Sequence, residues 1–272
     1  MRSKARLTIT LDRDLLRQID KMIDHVTIRN RSHAIESILQ ESINPTVSTA
    51  VILAGGKGSS NSHPALLPID DKELIFITLE HLANYGIRRI FLLAGDKEPQ
   101  FRTLLDEDSM YGIKILYAQE DQPLGTAGAV KAIENQLNHE PFLVIHADIL
   151  TNINLADFIT FHKQEKTLAT IAVKPRDAEK KYGKVMLQGN KITEFAEKEK
   201  SEGISIINTG VYMLQPDVLN LIDVGKPAQF ETDVFPKLAA IHELSAFLFQ
   251  GIWFDISDSE SYLGAKKRWL FS

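Results

Sequence analysis

Residues 51–58 read VILAGGKG, a short apolar run that stops at a cluster of glycines. An apolar run this short, with no polar alternation, suits a strand buried on both faces of a parallel sheet. Glycines directly after a first strand let backbone N–H groups come close to a phosphate or a base. The same kind of run recurs along the chain, at Ala50–Ala54, Ile90–Ala94, Ile113–Ala118 and Phe142–His146. Helical periodicity fills the gaps at Leu74–Tyr85, Gln100–Leu105 and Thr126–Leu137. Strands alternating with helices predict a doubly wound α/β fold with a mostly parallel sheet. After Ala169 the strand patterns crowd together, a hairpin is expected at Gly189-Asn190, and Ser259–Leu270 reads as a closing helix.

A glycine-rich first turn occurs in many α/β folds, and it is the motifs after it that are specific. ALLPIDDKELI (65–75), QEDQPLGTAGAV (119–130), FLVIHADIL (142–150), YGKV (182–185), EFAEK (194–198), INTGVYML (207–214) and GIWFDISDSESYL (251–263) follow in that order. Together they resemble the sugar-1-phosphate nucleotidyltransferase family over about residues 49–270, which implies its Rossmann-like fold. The resemblance implies that Ala54, Gly55 and Gly56 line a nucleotide pocket, with Gln119, Gly125 and Thr126 at the base. It puts Gly183, Glu197, Lys198, Asn208 and Thr209 at the sugar and its phosphate. It makes Asp148 and Asp255 the ligands of Mg²⁺, a hard cation that takes one or two carboxylates beside substrate phosphates. A lone strand-end aspartate is more often a cap, but two in matching motifs point to a metal.

The sequence departs from the family in the loop after the glycines. There the family has an arginine and a lysine that neutralise the triphosphate and its leaving group. Here the loop is Gly58-Ser59-Ser60-Asn61-Ser62-His63-Pro64-Ala65, about five residues shorter, with Ser60 and Pro64 at the two clamp positions. Losing either clamp would cost several orders of magnitude in rate. Neither Lys57 nor Lys72 is an obvious substitute, and His63 is mostly neutral at pH 7. No catalytic residue is therefore assigned. The expectation is a degenerate domain that keeps a nucleotide-sugar pocket and turns over poorly.

The first 44 residues read differently. Lys4 to Leu11 alternates strictly, with Lys4, Arg6, Thr8 and Thr10 on one face and Ala5, Leu7, Ile9 and Leu11 on the other. Asp12 is placed to cap a helix from Arg13 to Val26, and Asn30 a second helix that Pro45 ends. One lone strand cannot complete a sheet, so two copies would pair their strands over four helices. RLTITLDRDLLRQIDKMIDHVTIRNRSHAIESIL resembles the ribbon-helix-helix family of DNA-binding proteins (the CopG, MetJ and Arc type). That resemblance implies that Arg6, Thr8 and Thr10 read bases in the major groove and that Asn30 and Ser32 anchor a phosphate. A dimerisation module without DNA is the plainer alternative.

The chain of 272 residues is 44% hydrophobic and 25% charged, which excludes a wholly disordered protein. It has no cysteine, so disulfides, thiolate metal sites and cysteine nucleophiles are excluded. No apolar run approaches the ~20 residues of a membrane-spanning helix. MRSKARLTITLDRD lacks the apolar core of a signal peptide, and a cytoplasmic location is expected. The net charge of −5 divides into +2 on residues 1–44 and −7 on the rest, as if only the head met an anion. The leading expectation combines a DNA-binding head at 1–44, a linker at 45–48 and a nucleotidyltransferase-like body at 49–272. On this reading the chain is a transcriptional regulator, a homodimer or higher on operator DNA, whose body senses a nucleotide sugar or nucleotide. The alternative is an active enzyme converting NTP and sugar 1-phosphate to NDP-sugar and pyrophosphate, with a dimerising or self-regulating head. A catalytically dead scaffold is the third.

Overall fold

The computed structural model describes residues 8–24, 28–43, 47–55, 63–105, 110–118, 122–177, 182–196 and 203–269. The chain divides into two compact units, Met1–Pro45 and Thr46–Ser272.

In the first unit, α1 (Arg13–Lys21) starts where expected, because the Asp12 carboxylate accepts the Asp14 N–H at 2.7 Å. It ends well before Val26. The Asp24 carboxylate accepts the Ile28 N–H at 2.8 Å, a local bond that competes with further helix. The second helix, α2 (Arg31–Ile43), opens on Asn30, whose side-chain oxygen accepts the His33 N–H at 3.0 Å. The Arg31 guanidinium holds both oxygens of Asp20, at 2.6 and 2.8 Å. Thr8 to Leu11 form no strand, while Lys4 to Leu7, including Arg6, lie outside the described residues. An extended segment alone in its chain has no ladder to join. Thr8, Thr10, Asn30 and Ser32 are exposed.

The second unit contains the strands β1 (Thr49–Leu53), β2 (Pro68–Ile69), β3 (Lys72–Glu73), β4 (Arg89–Leu93), β5 (Lys114–Tyr117), β6 (Phe142–His146) and β7 (Ile149–Thr151). They are followed by β8 (Ala169–Asp177), β9 (Lys184–Gln188), β10 (Lys191–Ala196), β11 (Ile204–Leu214), β12 (Leu244–Leu248) and β13 (Trp253–Asp255). The helices are α3 (Leu74–Asn84), α4 (Glu98–Leu104), α5 (Gly125–Ala132), α6 (Leu155–Glu165), α7 (Phe235–Ala240) and α8 (Ser259–Trp269). Nine strands form the main sheet, in the order β5-β4-β1-β6-β11-β8-β12-β10-β9.

The first four strands of that order run parallel, as the apolar runs predict. The other half is mixed, which corrects the expectation of a mostly parallel sheet. β11 lies antiparallel to both β6 and β8, and β12 returns parallel to β8. β9 and β10 form the hairpin at Gly189-Asn190, and a two-residue turn can join only antiparallel strands. Alternate residues of each strand feed opposite faces. Ile52, Ile90, Leu143 and Ile145 join the core on one side of the sheet; Val51, Phe91, Val144 and Tyr212 join the core on the other. Such burial on both faces is why these runs lack polar alternation. Chain order reverses at β1, which sits between β4 and β6, so the crevice beyond its C-terminal end is where an open α/β sheet places a ligand. Among the described residues no helix is long and apolar enough to cross a membrane.

Candidate active site

The site assembles at that crevice. Leu53 is in register with His146, and the Ala147 N–H donates to the Leu53 carbonyl at 2.9 Å. Ala54 and Gly55, directly after β1, therefore lie beside the turn that carries Asp148. A small ribbon brings in the second aspartate. β13 pairs antiparallel with β7, Asp255 opposite Ile149, and the Ile256 N–H donates to the Asp148 carbonyl at 3.0 Å. Asp255 is steadied by the Ser257 N–H, 2.9 Å from its carboxylate.

Burial pushes the Asp148 carboxyl above the usual carboxylate range; His146 draws it down, and the Asp255 carboxylate pushes it up again. Two carboxylates that repel each other at a strand end are a donor set that a hard divalent cation relieves. Two such oxygen donors also match the habit of Mg²⁺, which leaves its other positions to water and phosphate. Among the described residues no cluster of three or more potential ligands offers a closed, all-protein site.

Gly125 and Thr126, the residues expected at the base, lie at the N-terminus of α5. Gly125 has φ +72°, and a Cβ there would stand 2.6 Å from the Ala228 carbonyl oxygen. The absence of a side chain lets the 226–230 segment dock on the helix start, where the Ala127 and Gly128 N–H groups both donate to that carbonyl. The Thr126 hydroxyl points inward. It accepts the Phe230 N–H at 2.9 Å and donates to Glu231 at 3.2 Å.

Among the residues expected at the sugar, β11 bulges between Asn208 and Tyr212, with Gly210 at φ +76°. The Asn208 N–H donates to the Gly183 carbonyl at 2.8 Å, so those two meet. The Asn208 side chain donates to the Tyr212 hydroxyl at 2.9 Å and accepts the Gly210 N–H at 3.0 Å. Thr209 is buried, its hydroxyl donating to the Ala172 carbonyl at 2.6 Å.

Gly56, Ser60, Gln119, Glu197 and Lys198 lie outside the described residues. Pro64 opens a single 3₁₀ turn capped by His63, which accepts the Ala65 N–H at 3.0 Å. Burial, with nearby Lys97, lowers His63 to a pKa of about 4, so it carries no charge at neutral pH. The sequence reading missed Tyr212, Glu231 and Trp253, which connect the predicted residues to one another. Glu231 left one signal, a carboxylate between the apolar residues Phe230 and Val234.

A family model described as nucleotidyl transferase matches residues 49–270. The chain belongs to the nucleotidyl transferase family. It is 34% identical over 235 residues to "Probable mannose-1-phosphate guanylyltransferase 1" of Oryza sativa subsp. japonica, covering 82% of this chain and 65% of the rice protein. It is 33% identical over 233 residues to the mannose-1-phosphate guanyltransferase of Yarrowia lipolytica, covering 82% and 64%. The chain thus spans slightly less than two thirds of these relatives. Among solved structures, HddC from Yersinia pseudotuberculosis matches with a TM-score of 0.73 and 26% identity over 82% of this chain and all of that one; HddC has also been solved in complex with GMP-PN.

These matches correct the leading expectation of a regulator. The curated relatives are named as guanylyltransferases, and the matched span takes in the loop with Ser60 and Pro64. A degenerate sensor domain is therefore not supported, and the active-enzyme alternative is favoured. The family match begins at residue 49, past the head. Nothing in it or in the relatives' names points to a ribbon-helix-helix domain, transcription regulation or operator DNA, and those expectations are set aside. A nucleotide ligand remains consistent with the matches.

Proposed function

We propose that this nucleotidyl transferase is an active sugar-1-phosphate nucleotidyltransferase that makes an NDP-sugar and pyrophosphate, with GTP and mannose 1-phosphate as its substrates. The observation that carries the reading is that Asp255, opposite Ile149 in the β7–β13 ribbon, is brought to Asp148 just before β7, beside Ala54 and Gly55 at the end of β1. The names of the relatives supply the choice of base and sugar. Residues 49–272 are taken as the catalytic body, with 45–48 as linker.

In the reaction an oxygen of the sugar phosphate attacks the α-phosphorus of the nucleotide. The bond from that phosphorus to the bridging oxygen breaks, and pyrophosphate leaves. Such a transfer depends on alignment and charge stabilisation more than on covalent participation by the protein. Ala54, whose N–H is bonded to the Leu93 carbonyl at 2.8 Å, lines the nucleotide pocket with Gly55 and Gly56, and the two glycines offer backbone N–H groups to the phosphates; Gln119, Gly125 and Thr126 are assigned to the base. Gly183, Asn208, Thr209, Glu197 and Lys198 hold the sugar phosphate. Asp148 and Asp255 would hold Mg²⁺, which offsets the negative charge of the triphosphate and leaving group where the arginine and lysine clamps are replaced.

The test is pyrophosphate release from GTP and mannose 1-phosphate with Mg²⁺, run beside other NTP and sugar-1-phosphate pairs. Release above background, lost in Asp148→Asn, is expected. A chain that releases none with any pair is not this enzyme.

A further inference from the structure

Glu231 lies in the single π-helical turn Phe230–Val234, a geometry that recurs at functional sites. It is 9% exposed and sits among rings, with the Tyr212 ring 6.0 Å from Phe230 and 4.9 Å from Phe235. One carboxylate oxygen accepts from the Tyr212 hydroxyl at 3.0 Å and stands 3.6 Å from His146 Nε2. The other accepts from the Thr126 hydroxyl at 3.2 Å. A buried carboxylate is expensive unless its lone pairs are satisfied, and an apolar side chain would fill the same space at less cost. A role in packing alone therefore leaves the charge unexplained.

The two hydroxyls lead in different directions. Thr126 is the second residue of α5, on the proposed nucleotide side. Tyr212 receives the Asn208 side-chain amide at 2.9 Å, and Asn208 lies on the proposed sugar side, bonded to Gly183. Each hydroxyl has one proton, and each gives it to Glu231. Both sides are thus oriented by the same carboxylate.

We propose that Glu231 is a positioning residue that couples the two substrate sides, setting the start of α5 through Thr126 and Asn208 through Tyr212. The proposal rests on the substrate sides assigned above. It predicts a division that a merely structural residue would not produce. Tyr212→Phe cuts only the sugar branch, Thr126→Val only the nucleotide branch, and Glu231→Met, of similar length but with no oxygen to accept either proton, cuts both.

The experiment measures equilibrium binding to the full chain with Mg²⁺, of GTP alone and of mannose 1-phosphate in the presence of a non-hydrolysable GTP analogue. Tyr212→Phe should weaken mannose 1-phosphate about tenfold, equivalent to about 1.4 kcal/mol, and leave GTP unchanged. Thr126→Val should do the reverse, and Glu231→Met should weaken both. Thermal melts identify a variant that fails to fold; should Glu231→Met fail, the opposite responses of the other two still decide. Folded Tyr212→Phe and Thr126→Val variants that bind both ligands like the wild type, or that each lose both equally, overturn the proposal. A wild type that follows this binding pattern but releases no pyrophosphate overturns the enzyme reading while leaving the coupling intact. A wild type that binds neither ligand overturns both.

Discussion

The indole Nε1 of Trp253 donates to the carbonyl oxygen of Thr209 at 2.8 Å, and this buried bond fastens the ribbon that ends at Asp255 to the bulge that carries Asn208. The proposed metal and sugar sides are thereby held on one frame. Trp253 also packs edge-on against Tyr182, at 5.3 Å between ring centroids, next to Gly183. Trp253→Phe should keep the aromatic packing and leave the Thr209 carbonyl without its donor. A loss of about 1–3 kcal/mol is expected from urea denaturation, with weaker binding of mannose 1-phosphate. Wild-type stability in that variant would show that the bond does not hold the frame.

Asp148→Asn and Asp255→Asn should each lower pyrophosphate release by about two orders of magnitude or more, the scale of losing a group that stabilises transition-state charge. Because the two carboxylates repel, either replacement should also relax the site. The melting temperature without Mg²⁺ should hold or rise, while the Mg²⁺ needed for half-maximal activity should increase. Unchanged Mg²⁺ dependence in both would remove the pair from the metal site.

Gly125→Ala should be more disruptive than Gly189→Ala, although both glycines have positive φ, +72° and +61°. Both replacements incur the left-handed penalty of about 1–2 kcal/mol. Only at Gly125 would the new methyl meet a carbonyl oxygen, at 2.6 Å; at Gly189 nothing lies within 4 Å. The extra loss should appear in denaturation midpoints, together with weaker GTP binding as the 226–230 segment is pushed off α5. Equal losses at the two sites would show that the segment yields freely.

His162 is fully buried between Thr170 and Gln215, at 2.8 and 2.9 Å, and burial lowers its pKa to about 4. The unfolded chain takes up this proton near pH 6.5 and the folded chain only near pH 4. The stability contribution is therefore complete above pH 6.5 and falls as pH drops towards 4, by roughly 2–3 kcal/mol. Partly buried His63 adds loss in the same direction and window. Urea midpoints between pH 7 and pH 4 should fall, with a shallower slope in His162→Gln. An identical slope would mean that His162 titrates alike in both states.

The strands β1, β4 and β6 were legible because burial on both faces leaves a local mark, an unbroken apolar run, whereas the two-residue strands β2 and β3 carry no such run. The hairpin at Gly189-Asn190 was legible for a similar reason, since its turn chemistry lies within two residues. Asp148 and Asp255 could be named from their motifs, yet no local pattern shows that β7 pairs with β13, because that register depends on the core both strands cover. The head shows the converse. Strict alternation from Lys4 to Leu11 looked like a strand, but alternation supplies a face and not a hydrogen-bonding partner.

The sequence by itself determined which segments could be strand or helix, where the glycines free the backbone, and which carboxylates stand at strand ends, because those depend on neighbours in the chain. Only the tertiary structure decided that the Thr126 hydroxyl bonds Phe230 and Glu231, that Tyr212 and Thr126 converge on Glu231, and that Trp253 reaches Thr209. The direction of a hydroxyl or an indole N–H is set by whichever unsatisfied acceptor the folded core places beside it, and those acceptors come from distant parts of the chain.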